Sequence, residues 1–224
     1  MKEERIFALF LCPEKGCFFM PKILEEKMSE SKKLNKLVKV AILSAMAFVL
    51  MFIQFPIPLA PPFMKVDLAD VPALISGFAM GPIYGVLVQL IKNLLNLTKT
   101  TTGGVGELSN FIVGSLFVFI SAVLYKKKKT KKNAIISMII GMVVMTIAAT
   151  ISNAFFIFPL YGKIMGIDLN AFVDMTRAAN SMVTSYFTLM IFSIVPFNLI
   201  KGSIEILVTR LLYKHVSPIL RKKY

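Results

Sequence analysis

A chain of 224 residues that is 56% hydrophobic and only 17% charged cannot clothe a folded domain in wetted surface. Its mean hydropathy of +0.73 sets aside a soluble enzyme or binding module and points to an all-α integral membrane protein, long enough for about six spans. The formal net charge of +14 would suggest nucleic acid in a soluble protein. Here the lysines sit in blocks between apolar runs, so they read as topology signals and lipid-headgroup contacts, and no nucleic-acid partner is expected.

Residues 1–30 stand apart. Ile6 to Cys12 is apolar but far too short to span. No small-residue cleavage site follows it, and Leu9 and Leu11 are too bulky for one. The segment reads as a cytoplasmic extension, disordered or interfacial, and Met28 is a second candidate start. Cys12 and Cys17 are spaced C-x4-C with no His nearby, a poor metal pattern, so they read as incidental thiols. Residues 31–224 form the membrane domain.

The first span is expected over about Leu37 to Phe55. Lys27, Lys32, Lys33, Lys36 and Lys39 precede it and place the N-terminus in the cytoplasm. Ala41 and Ala45 lie four residues apart, one above the other on one helix face. Such a face permits close helix approach in lipid, either to a partner or within the same protein. A loop with Pro56, Pro58, Pro61 and Pro62 follows, which cannot be helical. Asp67 or Asp70 then caps the next helix, with Pro72 in its first turn.

The second and third spans, about Leu68 to Met80 and Ile83 to Leu97, are hinged at Gly81-Pro82. Gly77, Gly81 and Gly85 give them close-packing faces. The third span carries Gln89, Lys92 and Asn93, and Lys92 is expected to snorkel or to meet an acid. A polar turn, Thr98 to Gly106, leads into the fourth span, about Val105 to Tyr125. Glu107 sits in its first turn, where the helix dipole favours an acid. The glycines of this turn do not make a P-loop, because no Gly-Lys-Ser/Thr follows. Six lysines after the span, Lys126 to Lys129, Lys131 and Lys132, fix the next loop inside.

The fifth span, about Ala134 to Pro159, contains Asn153, an amide that needs a partner inside a bilayer. An outer loop follows, Leu160 to about Ser181, with Asp168, Asp174, Arg177 and a short helix. The sixth span, about Tyr186 to Tyr213, is interrupted at Pro196, and Lys201 and Glu205 form an i, i+4 ion pair within it. The basic tail is cytoplasmic. The count is six spans with both termini inside.

Five stretches carry a resemblance: FMKVDLADVPALISGFAMGP, GVLVQLIKNLL, TTGGVGELSNFIVG, ISNAFFIFPLY and PFNLIKG. Over about residues 37 to 215 the sequence resembles the riboflavin-specific substrate-binding subunits of energy-coupling factor (ECF) transporters. The resemblance implies a six-helix subunit of the bacterial plasma membrane that binds riboflavin near its outer face. Its implied partners are a transmembrane scaffold subunit and two ATPases, and it implies no cofactor, no metal and no catalytic residue of its own. By matching motif, Asn153 would bond the pyrimidine edge of the flavin and Lys201 would meet the ligand from the sixth span. Glu107 would lie near the ligand, Met64 and Val66 would help close over it, and Ala41 and Ala45 would dock on the scaffold.

The chemistry agrees with that implication. The pyrimidine edge alternates acceptors with an N–H donor, and an amide offers both functions on one planar group. Phe, Tyr and Met suit the broad apolar ring faces. The alternatives are the same kind of subunit for thiamine or biotin, and a membrane-embedded enzyme. The enzyme reading lacks its residues: the only His, His215, falls in the tail, and there is no zinc motif.

Overall fold

A computed structural model describes residues 22–61, 64–166 and 168–221. Cys12, Cys17 and the extension as far as residue 21 lie outside the described residues. The chain divides into two compact units, residues 1–38 and 39–224. Everything that follows about packing and the site concerns the second unit.

The architecture is helical. Helix α1 is Lys22–Leu50; it begins inside the expected extension and stops before Phe55. The chain then turns through Met51 to Ile53, and the prolines that follow remove helical donors. A two-residue antiparallel pairing, β1 (Phe55–Pro56) on β2 (Lys65–Val66), staples the Pro-rich loop at its base. Val40, Leu43 and Ala47 of α1 are buried, whereas Ala41, Ile42, Ala45 and Met46 are exposed. The helix therefore packs along one stripe only.

Helices α2 (Asp70–Met80) and α3 (Pro82–Asn96) are joined at Gly81. Gly81 has φ 119°, a region that only glycine enters freely. At about 1.5 Å per residue both helices are shorter than a hydrocarbon core of about 30 Å, so the loops at their ends complete any crossing. Two of the three close-packing glycines act as expected: a methyl at Gly85 would come within 2.9 Å of the Ala73 carbonyl, and one at Gly77 within 3.1 Å of Ala122 Cβ, whereas one at Gly81 would meet nothing within 4 Å.

Helix α4 is Val105–Lys127. Helix α5 (Lys131–Ser152) opens on Thr130, whose hydroxyl accepts from the Asn133 N–H. It continues through a π-helical turn (Asn153–Ile157) into α6 (Phe158–Met165). Helix α7 is Leu169–Arg177. Helix α8 (Tyr186–Leu189), a second π-helical turn (Met190–Ile194) and α9 (Val195–Arg221) run on as one rod. Among the described residues three helical stretches are long and apolar enough to cross a membrane: Val105–Lys127, Lys131–Met165 and Tyr186–Leu212.

The two π-helical turns correct two expectations, that the fifth span ends near Pro159 and that the sixth is broken at Pro196. Proline within a helix removes a donor and clashes with the preceding turn. Both prolines stand two residues past the wider turn, which absorbs the clash. The carbonyls left over are answered by side chains. Tyr186 Oη donates to the Ala154 carbonyl at 2.7 Å, and Asn180 Nδ2 donates to the Phe192 carbonyl at 3.0 Å. In lipid such a carbonyl has no water to turn to, so these bonds keep both helices whole.

The core is built where α2, α3, α4, α5 and α9 meet, around Leu74, Phe117, Val118, Met138 and Met145. A second cluster, around Phe158, Phe172, Leu189 and Ile194, lies under α7. Exposed apolar residues such as Ile83, Phe155 and Phe187 are consistent with contact to lipid rather than water.

Candidate ligand-binding site

A cavity of about 480 Å³ opens among the ends of α1, α3, α4, the two π-interrupted helices and the Pro-rich loop. That volume suits a small organic molecule. Its apolar lining includes Met51, Phe52, Met64, Val113, Ile157 and Phe197; its polar lining includes Asn110, Asn153, Asn198 and Lys201.

Both π-helical turns serve this lining. Asn153 is the first residue of one turn, and Asn198 lies four residues beyond the other. Asn153 Nδ2 donates to the Ala149 carbonyl at 2.7 Å, and Asn198 Nδ2 donates to the Ile194 carbonyl at 2.8 Å. One N–H of each amide is committed, which fixes the side chain. A second N–H and the oxygen remain, so each amide keeps one donor and one acceptor for a ligand.

Lys201 lies one turn after Asn198 on α9, on the same face. It is 9% exposed. Its Nζ is 3.3 Å from Asp70 Oδ2 and 3.8 Å from Glu205 Oε1, and it donates to Asn110 Oδ1 at 3.4 Å. The expected Lys201–Glu205 pair is present, but Asp70 is the nearer acid. Asp70 is fully buried, accepts from Gln89 Nε2 at 2.8 Å, and pairs with Lys92. Asp70 therefore does not cap α2. Asp67 takes the Ala69 N–H instead, at 2.9 Å.

Glu107 also lines the cavity, but its oxygens are occupied. Oε1 accepts from Asn96 Nδ2 at 3.0 Å, and Oε2 accepts from the Thr100 and Thr102 hydroxyls at 3.0 and 3.2 Å. The Thr100 hydroxyl in turn accepts from the N–H groups of Thr102 and Gly104. Gly104, at φ 86°, makes the left-handed entry to α4. Glu107 thus organises the turn beside the cavity. Nearby, Lys99 Nζ lies 4.2 Å from the centre of the Phe52 ring and bridges α1 to the short turn after α3.

Of the sequence-derived site residues, Met64, Glu107, Asn153 and Lys201 converge on this cavity. Val66 does not line it. Its side chain is 2% exposed and packs with Ala60 and Phe197, with Met64 against the same cluster. It supports Met64 from behind. Ala41 and Ala45 are exposed on α1, away from the lining. Sequence reasoning passed over Asn198 and Asn110, although both lie in quoted motifs. The spacing Asn198–Lys201, one helical turn apart, was the signal that could have found Asn198.

Fold and site together define a helical membrane protein with a polar-floored cavity for a small molecule. The family model for the substrate-specific component of ECF transporters matches residues 35–213. The chain is 38% identical over 87% of its length, and over the whole of the relative, to the riboflavin transporter RibU of Staphylococcus aureus (strain TCH60). It is 36% identical over 83% of its length to the riboflavin transporter FmnP of Bacillus subtilis (strain 168), covering 94% of that protein. A solved structure of the S component of a bacterial ECF transporter superposes with a TM-score of 0.67 at 37% identity, covering 85% of this chain and 99% of the other. ThiT from Listeria monocytogenes superposes with a TM-score of 0.53 at 18% identity, a likeness of fold alone. The chain belongs to the family of ECF transporter substrate-specific components.

Proposed function

We propose that this chain is the riboflavin-binding subunit of an ECF-type importer in a bacterial plasma membrane. The observation that carries the reading is the cavity. It joins asparagine amides and the Lys201 ammonium, groups that suit a pyrimidine edge, to Met, Phe and Ile walls that suit the ring faces. The relatives named as riboflavin transporters support the same ligand. The subunit takes its energy from outside itself: the reading assigns ATP hydrolysis to two ATPase subunits, coupled through a transmembrane scaffold.

In this reading the chain crosses the bilayer six times with both termini in the cytoplasm. The lysine blocks in the first half of α1, between the apolar runs of α4 and α5, and at the end of α9 support that orientation. The cavity then faces outward, and the Pro-rich loop and the Thr98–Gly106 turn lie at its mouth. Asn153 and Lys201 contact the flavin, Met64 covers it, and Glu107 and Val66 hold the covering loops in place. Ala41 and Ala45 form the docking face for the scaffold.

The test is direct. The protein is purified alone in detergent and its visible absorption recorded. A bound flavin chromophore, or saturable riboflavin binding by the stripped protein, is expected. Thiamine and biotin serve as competitors. A protein that binds either of them and not riboflavin overturns the ligand assignment.

A further inference from the structure

We infer that Asp70, which does not line the cavity, is the positioning residue for Lys201. This rests on the proposed riboflavin reading and deepens it. Four charged side chains from three helices meet beneath the cavity: Asp70 of α2, Lys92 of α3, and Lys201 and Glu205 of α9. Asp70, Lys92 and Glu205 are fully buried, and only Lys201 reaches the lining. Asp70 Oδ1 takes Lys92 and Gln89, and Asp70 Oδ2 faces Lys201. Among the described residues neither oxygen of Glu205, another acid on Lys201, takes a hydrogen bond, and neither does Asp70 Oδ2, so Asp70 is held through Oδ1. Glu205 lies one turn farther along α9 and outside the lining.

Lys201 therefore stands among three carboxylates, Asp70, Asp67 and Glu205, of which Asp70 is locked. Lys has a long flexible stem, and its ammonium goes where charge holds it. Lys92 and Gln89 fix Asp70, and Gln89 is itself fixed, because its amide lies so close under Gly114 that a methyl there would come within 2.9 Å. The sequence of contacts Gly114, Gln89, Asp70, Lys201 sets the ammonium at the cavity. Without the Asp70 charge, Lys201 is left to Glu205, outside the lining, and to Asp67, and its ammonium is no longer set in one place toward the ligand. The site then loses an oriented charged donor.

The experiment is a double-mutant cycle on riboflavin affinity, with the whole chain purified in detergent. Asp70→Asn keeps the shape and removes the charge. It is expected to weaken binding by about tenfold or more, in the range of a lost charge-assisted bond. The double variant with Lys201→Met is expected to bind within about twofold of Lys201→Met alone, whereas Asp70→Asn and Asn153→Ala combine multiplicatively. The visible band of flavin bound to Asp70→Asn shifts toward that of Lys201→Met, since charge near the ring edge tunes its electronics; a merely structural defect would not move it. Should Asp70→Asn fail to fold, Gln89→Leu, which loosens Asp70 while keeping all four charges, shows the same coupling to Lys201→Met at smaller amplitude. Losses that multiply between position 70 or 89 and Lys201→Met, or affinity in Asp70→Asn within about twofold of the parent, overturn the inference while the riboflavin reading stands. A parent that binds no riboflavin overturns both.

Discussion

Asn153 and Asn198 each spend one amide N–H on the backbone carbonyl four residues back. In the proposed riboflavin reading, truncating either removes a pre-oriented donor–acceptor pair from the ligand. Asn153→Ala is expected to weaken riboflavin binding by about 3- to 10-fold, the scale of a neutral hydrogen bond. Lys201→Ala is expected to weaken it by about 10- to 150-fold, because its bond is charge-assisted. Titration calorimetry checks both, and unchanged affinity in both removes them from the site. Glu107 acts differently. Its three donors belong to Asn96, Thr100 and Thr102, so Glu107→Ala unties the turn rather than deleting a ligand contact. Hydrogen exchange in residues 98–104 is expected to accelerate, and riboflavin to dissociate faster. Unaltered exchange there would show that the turn holds its shape without the carboxylate.

At the scale of elements, the two π-helical turns are the feature on which the site depends. Each precedes a proline, and each places an amide at the cavity. The Tyr186 hydroxyl answers the Ala154 carbonyl, one residue from Asn153. Tyr186→Phe leaves that carbonyl with one fewer donor in an apolar setting. The cost is about 1–2 kcal/mol, read as a lower unfolding temperature of the purified protein. Riboflavin affinity is expected to fall as well, since Asn153 rides on the same turn. A variant with the parent's stability and affinity would show that the turn is held by packing alone.

For the molecule as a whole, α1 packs along one stripe and leaves the other side exposed. Val40, Leu43 and Ala47 are buried against the core, while Ala41 and Ala45 are exposed. This favours docking over internal packing for the pair. Ala41→Leu with Ala45→Leu is expected to leave riboflavin affinity and expression unchanged. The larger side chains hold a partner helix away, and association with the scaffold and uptake in cells are lost. Co-purification with the scaffold and ATPase subunits, beside a flavin titration, is the measurement. Normal assembly would refute the docking role, and loss of binding would return the pair to internal packing.

The sequence by itself determined the class, the main helices and a few of the cavity residues. Long apolar runs between lysine blocks leave a helix little choice in lipid, because backbone groups there must bond within the segment. Ordered motifs around Glu107, Asn153 and Lys201 located three residues of the lining before any fold was known. Helix ends were less legible. Pro159 and Pro196 read as breaks because local propensity counts only the missing donor. Only the tertiary structure brings Tyr186 and Asn180 to the carbonyls that those prolines leave unpaired. Val66 entered as a contact by its motif, and a motif does not say which side chains of a short loop turn inward. Asp70 read as a helix cap for a similar reason. Its partners are Gln89, Lys92 and Lys201, on helices 19, 22 and 131 residues away in sequence. Charge pairing over such separations is decided by packing alone, and no local pattern records it.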